Sequence, residues 1–497
     1  MKRFSLRAPL ALAIAIALTS PNALAATKKE KELEARIAQL EAQVKALVSA
    51  QQQQQAQLDT TKAEAADANT QVAITRNELD KVKAAQPAPL PAGKQPIQRT
   101  TIATAGNPGT TFSYGGFIKL DAMATDTNGG KIADGSSGRL FYVPSTIPVV
   151  ATAGAPNPHP KPSAYTDVNA NFSRFWLSAD TVTEGGNTFK GFVEMDFFGG
   201  GNAFFNGNTA NALVGNETVT NTYAVSLRHA YVQWNNWLAG QTWSNFQDVA
   251  ALPDAVDFVG PTDGTTFVRQ AQVRYTKGGW SFSAENPQTT IGSVATGGRL
   301  ANSGDNIFPD LTAHYVKKGD WGHFSVAVLA REFKYQAKTP TGGFLNAKTA
   351  TGGAVSVSGK FNMGKNDDIR YMLNGGSGIG RYMAFGLGAD SVLDANGNLH
   401  ALDGYGGFVA WHHAFNPKLR GNLMYSESSF DNNHNLPGWT LASGVVTKSA
   451  QSIHANLIYS PFPKLDIGTE LTWGERTLEN KQKGDLKRVQ ASVKYSF

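Results

Sequence analysis

Cysteine is missing from the 497 residues. That excludes a disulfide framework, a thiolate metal site, a Cys nucleophile and a lipid anchor on Cys. Charge of one sign is also missing: 45 Lys and Arg stand against 39 Asp and Glu. No stretch is a dense basic tract, so the chain lacks the footprint of a nucleic-acid binder. There is no Gly-x-Ser-x-Gly elbow and no His-Glu-x-x-His helix among its nine histidines. His412 and His413 are neighbours, but neighbours on a strand point to opposite faces and make a poor shared metal site. Nothing assembles into catalytic chemistry, so the reading is no enzyme, no cofactor and no metal.

Long apolar runs are scarce too. The one at the start, Ala8 to Leu18, follows Lys2, Arg3 and Arg7 and precedes Ala23-Leu24-Ala25. It is too short to span a bilayer and has the layout of a secretory signal peptide over residues 1–25. Removing its three basic residues lowers the formal net charge from +6 to +3. No other segment is a transmembrane-helix candidate. An exported chain with 51 Gly, many aromatics and a mean hydropathy of -0.28 can still be a membrane protein. In a barrel strand only alternate side chains meet lipid, so a spanning chain can stay polar on average. A closed barrel also pairs its whole backbone, the other route across a bilayer.

Three patterns follow the signal. Residues 26–85 carry a heptad seam: Leu33, Ile37, Leu40, Val44 and Leu47, then Gln51, Gln54, Leu58, Thr61, Ala65, Ala68, Val72, Thr75, Leu79 and Val82. Such a repeat is an α-helical coiled coil of several copies, weakened at Gln51–Gln55. The seam does not set the copy number. Residues 86–110 hold Pro87, Pro89, Pro91 and Pro96 and form an extended linker. From 111 to 497 the period is two. Val489, Ala491, Val493, Tyr495 and Phe497 alternate with Arg488, Gln490, Ser492, Lys494 and Ser496, one face for lipid and one for water.

We place sixteen antiparallel strands near 112–124, 171–181, 188–198, 223–234, 237–244, 266–277, 279–286, 309–317, 320–333, 352–362, 367–375, 404–413, 418–427, 450–460, 464–476 and 485–497. The fold class is all-β, a transmembrane barrel with an N-terminal helical extension. The connections alternate long and short, giving eight loops and seven turns with both termini on the turn side. Short turns are periplasmic in outer-membrane barrels, so the coiled coil is expected in the periplasm, where it is free to touch the cell wall.

The third long connection, 245–265, is acidic through Asp248, Asp254, Asp257 and Asp263. Its Val249, Leu252, Val256, Phe258 and Val259 need burial, which folding into the lumen supplies. Inward parity on the strands assigns Lys119, Arg174, Lys190, Arg274, Arg331, Arg370, Arg420, Arg476, Arg488 and Lys494 to the lumen. It also assigns the acids Asp121, Glu194, Asp196, Glu285, Asp466 and Glu470. The lumen is mixed with a modest basic excess. Arginine forks bind carboxylate and phosphate alike, and basic rings at a constriction favour anions. Arg228 stays open, because the alternation slips near His229 and a bulge can turn it either way. Arg269 shares parity with Ala271 and Val273 and points to an interface. Trp176 and Phe192 face inward but are too few for a sugar track.

Gly240-Gln241-Thr242-Trp243-Ser244-Asn245-Phe246-Gln247-Asp248, Leu252 to Pro261, Arg269-Gln270 and Val273-Arg274-Tyr275 together resemble the DcaP family of outer-membrane porins. Gly116 to Asp121, Ser173-Arg174-Phe175, Leu227 to Tyr231 and Glu285-Asn286-Pro287 fit the same family. The resemblance implies a homotrimer of sixteen-stranded barrels in outer-membrane lipid. It also implies a constriction from the third loop and uptake of small anions, notably dicarboxylates. Arg174 and Arg274 are the expected substrate contacts, with Lys119, Arg228, Arg331 and Arg370 as further pore-lining candidates. A phosphate or sugar porin, or a cell-wall tether with a barrel anchor, are the competing readings.

Overall fold

A computed structural model describes residues 110–149, 164–199, 223–294, 299–337, 343–439 and 446–497, together with nine helical positions between 36 and 49. The chain divides into two units, Met1–Gln95 and Pro96–Phe497. In the first, residues 36, 37, 39, 40, 42–45 and 49 are helical, and Ile37, Leu40 and Val44 leave more than half their surface exposed. The signal peptide, the rest of the heptad seam and the linker up to residue 109 lie outside the described residues.

The second unit is built of strands. In order they are β1 (Thr110–Thr127), β2 (Tyr165–Asn169), β3 (Arg174–Val182), β4 (Thr188–Gly199), β5 (Ala224–Trp234), β6 (Trp237–Trp243), β7 (Arg269–Lys277), β8 (Trp280–Glu285), β9 (Thr289–Ser293) and β10 (Arg299–Ser303). There follow β11 (Asp310–Gly319), β12 (Gly322–Tyr335), β13 (Lys348–Met363), β14 (Asp367–Ser377), β15 (Ser391–Leu393), β16 (Leu399–Ala401), β17 (Asp403–Asn416), β18 (Leu419–Asp431), β19 (Thr447–Tyr459), β20 (Leu465–Leu478) and β21 (Lys483–Ser496). Leaving aside β2, β9, β10, β15 and β16, sixteen strands pair in sequence, each antiparallel to the next. β1 closes the ring on β21, from Phe117 opposite Ser496 to Thr127 opposite Leu486.

Alternation sorts the side chains as a barrel requires. On β21, Val489, Val493 and Tyr495 are exposed outward while Arg488, Gln490 and Ser492 are buried inward. Aromatics cluster outward at the short-turn end. Trp234 and Trp237 flank the Asn235-Asn236 turn, Phe189 stacks on Trp234 at 6.2 Å, and Trp280 packs against Tyr315 at 4.7 Å. Rings with an apolar body and a polar edge suit the bilayer interface there.

The second strand corrects the sequence reading, which ran it unbroken over 171–181. β1 pairs with β3 from Thr110 to Phe117 and with β2 from Asp121 to Thr125. Between β2 and β3 the wall breaks, and Phe172 is buried there among interior aromatics. Connections expected to be plain loops also carry structure. β9, β10, β15 and β16 make a separate four-stranded sheet, with β9 and β15 parallel. It joins connections 286–309 and 378–402.

Candidate functional site

The site is organised by residues 245–265, which leave β6 and cross to the inward faces of strands distant in sequence. Asp248 caps a short 3-10 turn at Val249–Ala251 by accepting from the Ala250 N–H. Its other oxygen lies 2.7 Å from His323 Nε2 and accepts from the Ser358 hydroxyl at 3.0 Å. Arg370 donates to the Leu252 carbonyl at 2.6 Å. Arg420 pairs with Asp254 at 2.5 Å, and Asn422 and Asn456 both donate to the Asp254 carbonyl. Lys119 donates to the Val256 carbonyl at 2.9 Å while paired with Asp121. Glu470 accepts the Val256 N–H at 2.7 Å.

The apolar residues of the loop find the burial they need. Leu252 and Ala255 pack on Met372, Phe408, Ala410 and Met424. Phe258 stacks on Phe172 at 4.3 Å, within a cluster that includes Phe141, Phe198, Phe267 and Phe385. Gly264 lies against the wall itself: a Cβ there would sit 2.1 Å from the Gly407 nitrogen, so no larger residue fits.

The four acids do not all meet a basic wall, as the sequence had implied. Asp254 alone pairs with an arginine. Asp257 turns back on its own loop, accepting from the Val259 and Gly260 N–H groups and from the Tyr142 N–H. Asp263 accepts from the Tyr142 and Ser452 hydroxyls. Both are fully buried, and burial pushes the Asp263 carboxyl up to about 6 and the Asp257 carboxyl above its usual range.

On the opposite side of the loop lies a cluster of arginines. Arg228 pairs with Glu194 and Asp196, each at 2.7 Å, and its guanidinium sits 5.5 Å from the Phe258 ring. Arg174 lies 3.4 Å from Glu194. Arg269 lies over Trp243 at 4.5 Å and near Phe267, within electrostatic reach of both Arg228 and Arg174. Arg228 thus pairs with both carboxylates, Arg174 approaches Glu194, and Arg269 lies near them against the aromatic rings. Arg174 Nε and Arg269 Nη1 are buried without a hydrogen-bond acceptor. Arg274 donates to the Trp243 carbonyl at 2.9 Å, leaving its Nε without one.

Arg228 turns inward because the pairing of β4 with β5 shifts there: Glu194 faces His229 and Met195 faces Leu227, leaving Arg228 as the extra residue of a bulge. Arg269, expected at an interface, instead reaches the interior through Trp243 and Phe267. Arg331 is not available to a solute. Its side chain is fully buried between Asp310 and Asp390, and it also donates to the Gly378 and Gln288 carbonyls. It ties connections 286–309 and 378–402 to the wall. Lys119 and Arg370 face the lumen but serve the loop backbone. Among the described residues, no group of three or more His, Asp or Glu is arranged to hold a metal ion.

Residues 162–497 match the family model described as DcaP outer membrane protein. The chain belongs to the DcaP family. It is an outer-membrane β-barrel of the porin and channel type. Among solved structures it is similar to the outer membrane channel DcaP of Acinetobacter baumannii, with a TM-score of 0.59 and 24% identity over 78% of this chain and 98% of that one. OmpT of Vibrio cholerae matches with a TM-score of 0.46 and 10% identity, over 80% of this chain and 100% of that one. No curated protein matches the sequence.

Within this DcaP-family barrel, sequence parity left Arg228's direction open and missed the inward reach of Arg269 and Tyr231. The bulge at Arg228 sets His229 and Tyr231 on the inward face, opposite Glu194 and Phe192. Phe192 and Tyr231 stack at 5.3 Å. A slip in alternation between Leu227 and Tyr231 was the available signal.

Proposed function

We propose that this DcaP-family barrel passes small anions, dicarboxylates foremost, through a lumen narrowed by residues 245–265. The observation that carries this reading is the group Arg174, Arg228 and Arg269, which has only Glu194 and Asp196 as acidic neighbours among the described residues, beside Phe258 of the loop. Among the described residues that leaves one positive charge in excess. An anion crossing there gains charge-assisted hydrogen bonds in a partly desolvated setting, where screening is weaker than in bulk water. Arg174 keeps about a fifth of its side chain exposed, so a solute can reach it. The wall opposite is occupied: Lys119, Arg370 and Arg420 hold the loop. Arg274, inward on β7, is a second contact on the same side.

The functional unit in this reading is a homotrimer in outer-membrane lipid, with the N-terminal helices paired as a coiled coil in the periplasm. The seam of Ile37, Leu40 and Val44, each more than half exposed, supports that pairing, since copies of such an apolar stripe bury it against one another.

The test is planar-bilayer recording in a KCl gradient, followed by added succinate. The reversal potential should favour Cl⁻ over K⁺, and succinate should block the current in a concentration-dependent way. Cation selectivity with no succinate block would overturn the reading.

A further inference from the structure

The aromatic side chains on the lumen wall next to Arg174 have no role in the anion reading. Trp176 follows Arg174 by two residues on β3, so both face the lumen. Trp176 and Phe192 stack with centroids 5.9 Å apart and planes at 25°, and Phe192 continues onto Tyr231 at 29°. The three rings run across β3, β4 and β5. All three are half-buried. Among the described residues, none of them joins the apolar clusters that seat the loops.

The wall is shaped for this arrangement. A Cβ on Gly115, the inward neighbour of Trp176 on β1, would come within 2.6 Å of the indole. Glycine there lets the indole lie close against the backbone, as a bulkier residue could not. The rim of the stack is polar. Lys190 pairs with Asp180 at 3.2 Å, its ammonium lies 5.8 Å from the Phe192 centroid, and Gln233 sits opposite Lys190.

We infer that Trp176, Phe192 and Tyr231 form a platform for a pyranose ring and that, with Arg174, they bind cyclic sugar acids. The inference rests on the anion reading above and names a substrate class for the same site. The C–H groups on one face of a pyranose are weakly positive and apolar, and the negative faces of aromatic rings accept them. Its hydroxyls lie around the edge, where Lys190, Asp180 and Gln233 supply donors and acceptors. A carboxylate on the ring reaches the arginine end. An acyclic dicarboxylate uses the arginines but has no ring to lay on the platform. A neutral sugar uses the platform and leaves the arginines unmet.

The experiment measures current block by the full chain in planar bilayers with glucuronate, gluconate, glucose, benzoate and succinate. Gluconate is the key control, because it has the same charge and comparable hydroxyls without the ring. Glucuronate should block about five- to tenfold more tightly than gluconate, the scale of one good ring contact. Trp176→Ala should bring that ratio close to one. Trp176→Phe, which keeps the wall filled, should restore part of it and guards against a folding defect. Equal block by glucuronate and gluconate, or a ratio unmoved in Trp176→Ala, would overturn the inference. So would benzoate blocking more tightly than glucuronate, which would assign the platform to planar aromatic acids. Cl⁻ selectivity with equal glucuronate and gluconate block removes the platform and leaves the anion reading intact. Absent succinate block with the glucuronate preference retained removes the dicarboxylate preference alone.

Discussion

Glu470 on β20 accepts the backbone N–H of Val256, 214 residues earlier in the chain, at 2.7 Å. The same carboxylate lies 2.9 Å from His454 and accepts from Asn456. A wall residue thus holds the middle of the loop, and loop position is set by strands at the far end of the sequence.

Glu470→Ala should loosen that hold. Each hydrogen bond to a charged group contributes about 1.5–3 kcal/mol, and the variant also takes from buried His454 its acidic partner, leaving it Ser452 and Thr472. Single-channel conductance should rise and open-channel noise with it. A trace identical to the parent's would mean that the remaining anchors, Arg420 to Asp254 and Lys119 to Val256, suffice by themselves.

Asp263 makes stability depend on pH. Its carboxyl is raised by burial from 3.8 to about 6, so the folded state binds the proton more tightly than the unfolded chain does. Ionisation therefore costs stability. The penalty is absent below the unfolded value, grows as pH climbs towards the folded one, and is complete above it. Two pKa units correspond to about 3 kcal/mol. Asp263→Asn should flatten this part of the melting-temperature profile between the two values, and a profile with the parent's slope would assign it to another group.

Two arginines that share inward parity should behave differently. Arg331→Ala removes the cation between Asp310 and Asp390, which costs about 3–5 kcal/mol because both acids stay buried. It should appear as a lowered melting temperature. Arg174→Ala should change stability little and weaken succinate block by about 1–3 kcal/mol, with Arg174→Lys recovering part because it keeps the charge and loses the fork. The reverse pattern would exchange their roles.

The sequence distinguished these two arginines poorly for a physical reason. Period two says which face of the wall a residue is on, and it placed Arg174, Arg274 and Arg331 inward. It does not say what lies over that face. Arg331 is covered because connections 286–309 and 378–402 fold back over the end of β12, and their sheet depends on long-range pairing such as Ser391 with Ile291. The strand count was legible, since it needs only alternation and turn residues such as Asn235-Asn236. The break at Phe172 was not, and the bulge at Arg228 showed only as a slip in alternation of open direction, because each adds or removes a single residue and reverses the parity of everything beyond it.

Every β-ladder of the wall lies between Thr110 and Ser496. Deleting residues 26–109 leaves β1 whole and should give a folded, conducting barrel. Oligomer stability towards detergent and heat should fall, since the heptad seam is lost. A well-assembled truncation without channel activity would place the helix in the conduction path.

The pairing of β1 with β21 carries a consequence for biosynthesis. Thr127 and Leu486 are opposite each other in the finished wall but lie 359 residues apart in the chain (486 − 127) and are made far apart in time. Until the fourteen residues of β21, Lys483–Ser496, have been synthesised, the first strand has no second neighbour and the sheet keeps two open edges. Such edges pair with any available strand, and lipid offers them no hydrogen bonds. A nascent chain must therefore be kept unfolded in water until β21 is available. A nonsense mutation that removes β21 should then be as damaging as one near the first strand, a pattern opposite to that of a protein whose domains mature one at a time.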